Sequence, residues 1–317
     1  MRVLLTGAAG WLGRHLKPRL EARGDAVVGL DVAASPWTDV QGTVADRALV
    51  ARLFGEHRFE AVLHAGALHK PDIARYPAQA FVDANVTGTL NLLEEAAAAA
   101  ARFVFTSTTS LMISQAIRAE AGEAAVWLDE SVGPLSPRNI YGVTKLAAEG
   151  LCRVAHLERG LACVILRTSR FFPEADDTHA DIDGANLKAN EFLHRRLSVE
   201  DCAAAHIVAL DRAAEIGFGL YVISASTPLR REDAPELKRD AAGVIARLYP
   251  DAPALYARRG WVLPRSIGRV YDASLAEREL GFRAQTDFAA VLAALREGRA
   301  APFAHDAGFV SPSAAFA

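Results

Sequence analysis

Short apolar runs bounded by polar or turn-forming residues recur through the first half of the chain. Residues 3–6, 26–31, 61–64 and 103–107 carry apolar side chains at successive positions, the pattern of strands buried on both faces. Between them lie 12–23, 46–56, 78–101 and 140–160, each long enough for a helix, and a further apolar run, 162–166, follows the last. The alanine run 96–101 continues the helical pattern of Leu90, Leu92 and Leu93, so it reads as a helix end rather than a linker. Strands separated by helices must pair in parallel through right-handed crossovers, which predicts a doubly wound α/β sheet.

Two stretches depart from this alternation. Residues 113–129 are rich in alanine and glutamate and read as an insertion at the mouth of the sheet, either a lid or a surface helix. After Phe171 the chain turns polar and acidic and breaks into shorter elements. The expected division is therefore 1–170, with a return strand near 219–223, and an interleaved substrate-binding portion over 171–317.

Composition adds limits. At 317 residues and 51% hydrophobic the chain can bury a sizeable core. A net charge of −3 without any like-charged block argues against a nucleic-acid or membrane partner. No apolar run is long enough to span a bilayer, and the N-terminus lacks a leader pattern, so a cytoplasmic location is expected. Cys152, Cys163 and Cys202 are widely spaced in apolar contexts and read as buried thiols, not as a disulfide framework or metal set.

Candidate chemistry begins at Gly7-Ala8-Ala9-Gly10-Trp11-Leu12-Gly13, directly after the first strand. A glycine-rich turn between strand and helix brings backbone N–H groups close to a dinucleotide pyrophosphate. Asp31 closes the second strand, where a carboxylate accepts from ribose hydroxyls and repels a 2′-phosphate, so NAD is expected over NADP. Asp46 follows a strand-like stretch, 41–45, and has two open readings: contact with the adenine edge, or the N-cap of the next helix. Ala65, Gly66 and Ala67 are small residues at the carboxyl edge of the third apolar run, where ligands of open α/β sheets bind. His64 beside them reads as a packed residue.

Tyr141 and Lys145 lie four apart and share one face of a helix. A nearby ammonium favours the phenolate, so the pair reads as a base whose pKa the lysine lowers. Thr106-Ser107-Thr108-Thr109, at the end of the fourth run, supplies hydroxyls that can share the substrate's proton.

Together these motifs resemble an extended short-chain dehydrogenase/reductase with a Rossmann sheet, in the NAD-dependent epimerase/dehydratase group. Asn85-Val86-Thr87-Gly88-Thr89 is similar to that family's fourth-helix motif and Val199-Glu200-Asp201 to its Val-Asp-Asp segment. Tyr271-Asp272-Ala273-Ser274 through Glu279-Leu280-Gly281-Phe282 is similar to its C-terminal signature.

The resemblance implies Tyr141 as general acid/base and Lys145 as the group that lowers its pKa and binds the nicotinamide ribose. Thr108 would bond the reacting oxygen, with Ser107 as the alternative. It also implies cofactor contacts from Gly7, Ala9, Gly10, Trp11, Leu12, Gly13, Asp31, Ala65, Gly66, Ala67 and Asn85, and a homodimer through the helices at 78–101 and 140–160.

Departures narrow the chemistry. Thr109 and Ser110 stand where dehydratases carry an acidic pair, which argues against dehydration, and Leu111-Met112-Ile113 replaces the usual Val-Tyr-Gly. Arg170-Phe171-Phe172-Pro173 lacks the amide that meets a nucleotide diphosphate.

The expected function is NAD-dependent oxidation or epimerisation at a secondary alcohol of a small sugar-like substrate. A nucleotide-sugar 4-epimerase with retained NAD is the alternative. A non-catalytic dinucleotide sensor is disfavoured because the Tyr–Lys pair is kept. Arg195-Arg196 and Arg265 are candidate phosphate or carboxylate binders, with Arg196, Arg265 and Asn186 the expected substrate contacts. Asp176, Asp177, His179, Asp181 and Asp183 read as a solvated acidic loop without a metal.

Overall fold

The computed structural model describes residues 1–174 and 182–311. Asp176, Asp177, His179 and Asp181 lie outside the described residues; Asp183 lies within them and caps a helix.

Seven parallel strands form the main sheet: β1 (Arg2–Thr6), β2 (Ala26–Asp31), β3 (Val40–Gln41), β4 (Ala61–His64), β5 (Arg102–Thr108), β7 (Cys163–Thr168) and β8 (Phe218–Ile223). Their order across the sheet is β3-β2-β1-β4-β5-β7-β8. On one face α1 (Gly13–Ala22) and α8 (Val199–Ile216) pack Leu12, Leu16 and Leu20 against Ala205, Ala209 and Ala213. On the other, α2 (Arg47–His57), α4 (Gly88–Ala98) and α6 (Ile140–Arg159) bury Leu53, Leu92 and Cys152. Apolar side chains on both faces of each strand are thus covered, which is why the strands read as unbroken apolar runs.

Helix starts follow local capping. The Asp46 carboxylate accepts from the Leu49 amide at 3.0 Å, and the Asn139 side-chain oxygen from the Gly142 amide at 2.9 Å. Each satisfies a donor that the first turn of a helix leaves open. The strand-like stretch 41–45 pairs only at Val40–Gln41, because the Thr43 hydroxyl then accepts from the Ala45 amide at 3.2 Å and turns the chain toward the Asp46 cap. The expected helix 78–101 is interrupted: α3 (Ala78–Val82) and α4 are joined by a π turn over Asp83–Thr87. Such turns often mark functional positions.

The stretch 113–129 is more than a lid. It holds α5 (Gln115–Ala119) and then β6 (Val126–Leu128), which pairs in parallel with β9 (Arg269–Tyr271) in a second, two-stranded sheet. The rest of the C-terminal portion comprises α7 (Gly184–Glu191), α9 (Ala234–Leu248), α10 (Ala252–Arg258) and α11 (Phe288–Arg296). These helices share their own core around Phe192, Ile245, Tyr256 and Phe288. Asp201 ties the two parts together, its carboxylate accepting from the Gln285 and Thr286 amides at 2.8 and 2.9 Å. Among the described residues no helix is long and apolar enough to cross a membrane.

Candidate active site

A cavity of about 930 Å³ opens at the carboxyl edge of the main sheet, between it and the second sheet. Its floor is the glycine turn. Gly7 adopts φ +73°, and a Cβ there would lie 2.7 Å from the Gly66 nitrogen; at Gly13 a Cβ would lie 2.2 Å from the Gly7 carbonyl oxygen. No side chain fits either position, so the turn and the 65–67 segment close on each other through bare backbone.

The amides of Trp11 and Leu12, leading into α1, have no hydrogen-bond partner among the described residues, which leaves donors at a helix N-terminus beside the cavity. Ala65, Gly66 and Ala67 line it, with the Gly66 amide donating to the Thr6 hydroxyl at 3.1 Å. Asp31 also lines it, accepting from the Ala9 amide at 3.0 Å and the Ala33 amide at 2.9 Å. Burial pushes its carboxyl above the ordinary range against those two bonds.

The reacting end lies where β5 and the first turn of α6 meet. Thr108 is the last residue of β5; its hydroxyl accepts from the Ser110 amide at 3.1 Å, and it lines the cavity with Tyr141, whose phenol pKa it helps to lower. Successive strand residues point to opposite faces. Ser107, one residue earlier, donates to Glu149 further along α6 at 2.6 Å, inside a buried ion pair with Arg167 at 2.7 Å.

Lys145 is 2% exposed, with its ammonium nitrogen 3.9 Å from the centroid of the Phe105 ring. Burial dominates both titrating groups. It pushes the Tyr141 phenol up to about 12, against the Thr108 hydroxyl, and pulls Lys145 down to about 7, against the Glu149 charge. Burial, with the Asp72 charge, sets the phenol's position, and the expected depression by Lys145 is not among its causes.

Several expected contacts lie elsewhere. Asp46 is a helix cap and does not line the cavity. Asn85, 1% exposed, also stands behind it. Its side chain accepts from the Leu68 amide at 2.9 Å and donates to the Leu68 carbonyl at 2.9 Å and the Thr144 hydroxyl at 3.1 Å, so it staples the 65–68 segment to α6. His64 is packed, hydrogen-bonded to Thr6 and Thr89.

In the C-terminal portion Asn186 exchanges hydrogen bonds with the Val262 backbone at 3.0 and 2.8 Å, away from the cavity. Arg196 is held by Glu191 at 2.8 Å and the Phe172 carbonyl at 2.6 Å. Arg265 is an exposed surface residue.

The cationic wall comes from Arg195, one of the expected pair, together with Arg118, Arg138, Arg170 and Arg269, which no local pattern marks as binders. Arg269 reaches the cavity only because β9 pairs with β6. It is 6% exposed and bound to Glu120 at 2.8 Å, yet its Nε is buried without a partner. Burial, and then the charges of Arg118 and Arg269, pull Arg138 below the usual guanidinium range, which marks these three as one cluster. Across the cavity, burial works to raise the Glu191 carboxyl, but Arg195, Arg196 and Arg170 outweigh it and hold it below the usual range. The three cysteines are buried free thiols, and among the described residues no group of three His, Cys, Asp or Glu side chains could hold a metal.

The chain matches a family model described as the NAD dependent epimerase/dehydratase family over residues 3–223. It is 31% identical over 169 residues to a UDP-glucose 4-epimerase of Erwinia amylovora, covering 48% of this chain and 48% of that protein. To UDP-glucuronate 4-epimerase 1 of Arabidopsis thaliana it is 30% identical over 184 residues, 52% of this chain and 41% of the other. The chain thus spans about half the length of the curated relatives it matches. In fold it is similar to the solved UDP-glucose 4-epimerase of Thermus thermophilus in complex with NAD, with a TM-score of 0.61, 22% identity, and 90% of this chain and 94% of that one covered.

Proposed function

The chain belongs to the NAD dependent epimerase/dehydratase family, and on that premise we propose that it oxidises a secondary alcohol of an anionic sugar derivative with NAD as hydride acceptor. The observation that carries this reading is that Thr108, Tyr141 and Lys145, one turn further along α6, line the same cavity as the glycine turn.

The residues present fit NAD. The bare turn at Gly7 and Gly13, with the open amides of Trp11 and Leu12, suits a pyrophosphate, and Asp31 suits the adenosine ribose. Bound there, the dinucleotide supplies a site that takes up a hydride and can return it.

Tyr141, as the phenolate, takes the alcohol's proton as the carbon loses hydride, and Thr108 shares the oxygen's hydrogen bonds. A phenol held near 12 needs a positive neighbour to act as a base at neutral pH. Lys145, held near 7, can take up a proton within that range and provide the charge.

Portion 171–317 is proposed to hold the substrate. The walls around Arg269 and Arg195 favour a carboxylate or phosphate on it, because a guanidinium fork matches either group. A second reading, a nucleotide-sugar 4-epimerase that retains its NAD, is favoured by the relatives' names. Phe172 stands in the segment where such enzymes offer an amide.

Three buried thiols suit a reducing, cytoplasmic compartment. Leu90 on α4, with Val143, Val154 and Leu157 on α6, is 38–70% exposed and supports a homodimer through these helices, which a dimeric mass in light scattering would verify.

The test of function is mass spectrometry of small molecules carried by the purified protein, followed by an NADH absorbance screen over sugar acids, sugar phosphates and nucleotide sugars. NADH accumulation marks a dehydrogenase; retained NAD with an isomerised sugar marks an epimerase. Absence of both across the panel refutes the reading.

A further inference from the structure

Between β4 and α3 the chain crosses the cavity wall as Leu68-His69-Lys70-Pro71-Asp72. Asp72 is fully buried, and its carboxylate accepts from the His69 backbone amide at 2.9 Å and meets the His69 ring at Nδ1, 2.5 Å away. A carboxylate on one ring nitrogen fixes the tautomer and aims the other nitrogen. The His69 side chain is 17% exposed, lines the cavity, and packs its ring 5.2 Å from that of Phe172. Its Nε2 has no protein partner among the described residues.

The capping box of this turn pairs the His69 side chain with the Asp72 backbone and the Asp72 carboxylate with the His69 amide, which occupies one ring nitrogen and leaves the second open to the cavity. The position of His69 relative to Tyr141 is also fixed. Asn85 grips both backbone groups of Leu68 and the Thr144 hydroxyl, so one amide locks the segment before His69 to the helix that carries Tyr141 and Lys145. His69, Tyr141 and Lys145 all line the one cavity, so the two acid–base pairs face one space.

We propose that His69, oriented by Asp72, is a second proton-transfer group of this cavity, one that enolises the ketone produced by the oxidation and so inverts the neighbouring carbon. This rests on the hydride-transfer reading above. Once the alcohol is a ketone, the adjacent C–H is acidic. His69 Nε2 takes that proton, the C–H electron pair becomes the enolate double bond, and the carbonyl π pair moves onto oxygen, which the Tyr141 and Thr108 hydroxyls hold. Inversion follows when the enolate turns its opposite face to the imidazolium before the proton is returned, and hydride return then restores the alcohol, so no further oxidant is consumed. A dyad of this kind gives the site two stereochemical outcomes: inversion at the oxidised carbon by hydride return, or inversion beside it by proton return.

The holoprotein with NAD is incubated in D₂O with UDP-glucose, UDP-galactose, UDP-glucuronate and D-glucuronate, and the recovered sugars are analysed by mass spectrometry and NMR. Hydride transfer is followed in parallel by NADH absorbance and by isomerisation. Wild-type protein is expected to place deuterium on the carbon next to the oxidised one. His69→Gln should cut that incorporation by on the order of a hundredfold or more while hydride transfer stays within about tenfold of wild type. NAD titration of the variant checks that it is folded. Hydride transfer without deuterium uptake, or equal uptake in His69→Gln, overturns the dyad's role and leaves the oxidation reading intact. If no sugar is oxidised, that reading fails and this inference falls with it.

Discussion

Two buried arginine–glutamate pairs, alike in chemistry, stand on opposite sides of the cavity. Glu149–Arg167, at 2.7 Å, backs the strand that carries Thr108 from within the main sheet; Glu191–Arg196, at 2.8 Å, supports the C-terminal wall. At each pair two adjacent polar residues are set to different tasks, although Glu191 holds both arginines, Arg195 at 2.9 Å. Glu149 takes the Ser107 hydroxyl, and Thr108 lines the cavity with Tyr141. The other pair ties Arg196 to the Phe172 carbonyl, and Arg195 lines the cavity. The difference lies in what assigns the two tasks. On β5 it is strand alternation, which any strand imposes; beyond α7 it is a turn whose geometry depends on distant packing.

Breaking the pairs separates their roles and carries the largest expected stability effect. Glu149→Gln and Glu191→Gln each leave a guanidinium buried without its counter-charge, at a cost of about 3 kcal/mol in denaturant unfolding. Glu149→Gln should act mainly on kcat, because the strand end carrying Thr108 loosens, and Glu191→Gln mainly on KM. The reverse assignment in steady-state kinetics would dissolve the contrast. The exposed pair Arg247–Glu236 serves as a control, and Glu236→Gln should leave the unfolding midpoint unchanged.

Gly13→Ala tests the cofactor end of the sheet half. A Cβ 2.2 Å from the Gly7 carbonyl oxygen forces the turn open, so NAD affinity should fall by about a hundredfold, roughly 2.7 kcal/mol, in a fluorescence titration. Asn186→Ala probes the C-terminal half, where the amide is structural: unfolding should cost about 2 kcal/mol with kinetic constants kept. A raised KM with unchanged stability would return Asn186 to the substrate.

At neutral pH Lys145→Met gives the smallest and most specific electrostatic signal. Lys145 titrates near 7 when folded and near 10.5 when exposed to water, so between those values the unfolded chain holds the proton more tightly. Stability therefore rises with pH across that window, by up to about 1.4 kcal/mol per pH unit from this residue. Wild type minus variant should show that slope, and parallel curves would place the ammonium in water.

Legibility in the sequence follows the same division. The glycine turn, Asp31 and the Tyr141–Lys145 spacing could be read because a parallel sheet delivers strand ends and helix starts to one edge whatever else the chain does. Asn85 and Asp46 carried the right residue types for a ligand, yet backbone donors and acceptors nearby claimed them, a competition that sequence does not display. Arg269 was invisible for another reason: its place depends on pairing with Val126, far away in the chain. Arg196 and Arg195 differ by one position, and only the fold of the turn after α7 decides which faces inward. The interrupted helix at Asp83–Thr87 likewise reflects tertiary demands, since a Cβ at Gly88 would lie 2.4 Å from Val44.

The most direct test is single-turnover hydride transfer in Tyr141→Phe at saturating NAD, on whichever sugar reduces the wild-type protein's cofactor. The account predicts a loss on the order of a hundredfold or more in the rate of NADH formation, with NAD affinity within about threefold of wild type. A rate equal to wild type at equal NAD occupancy would contradict Tyr141 as the base, and with it the claim that the sheet edge is where the chemistry occurs.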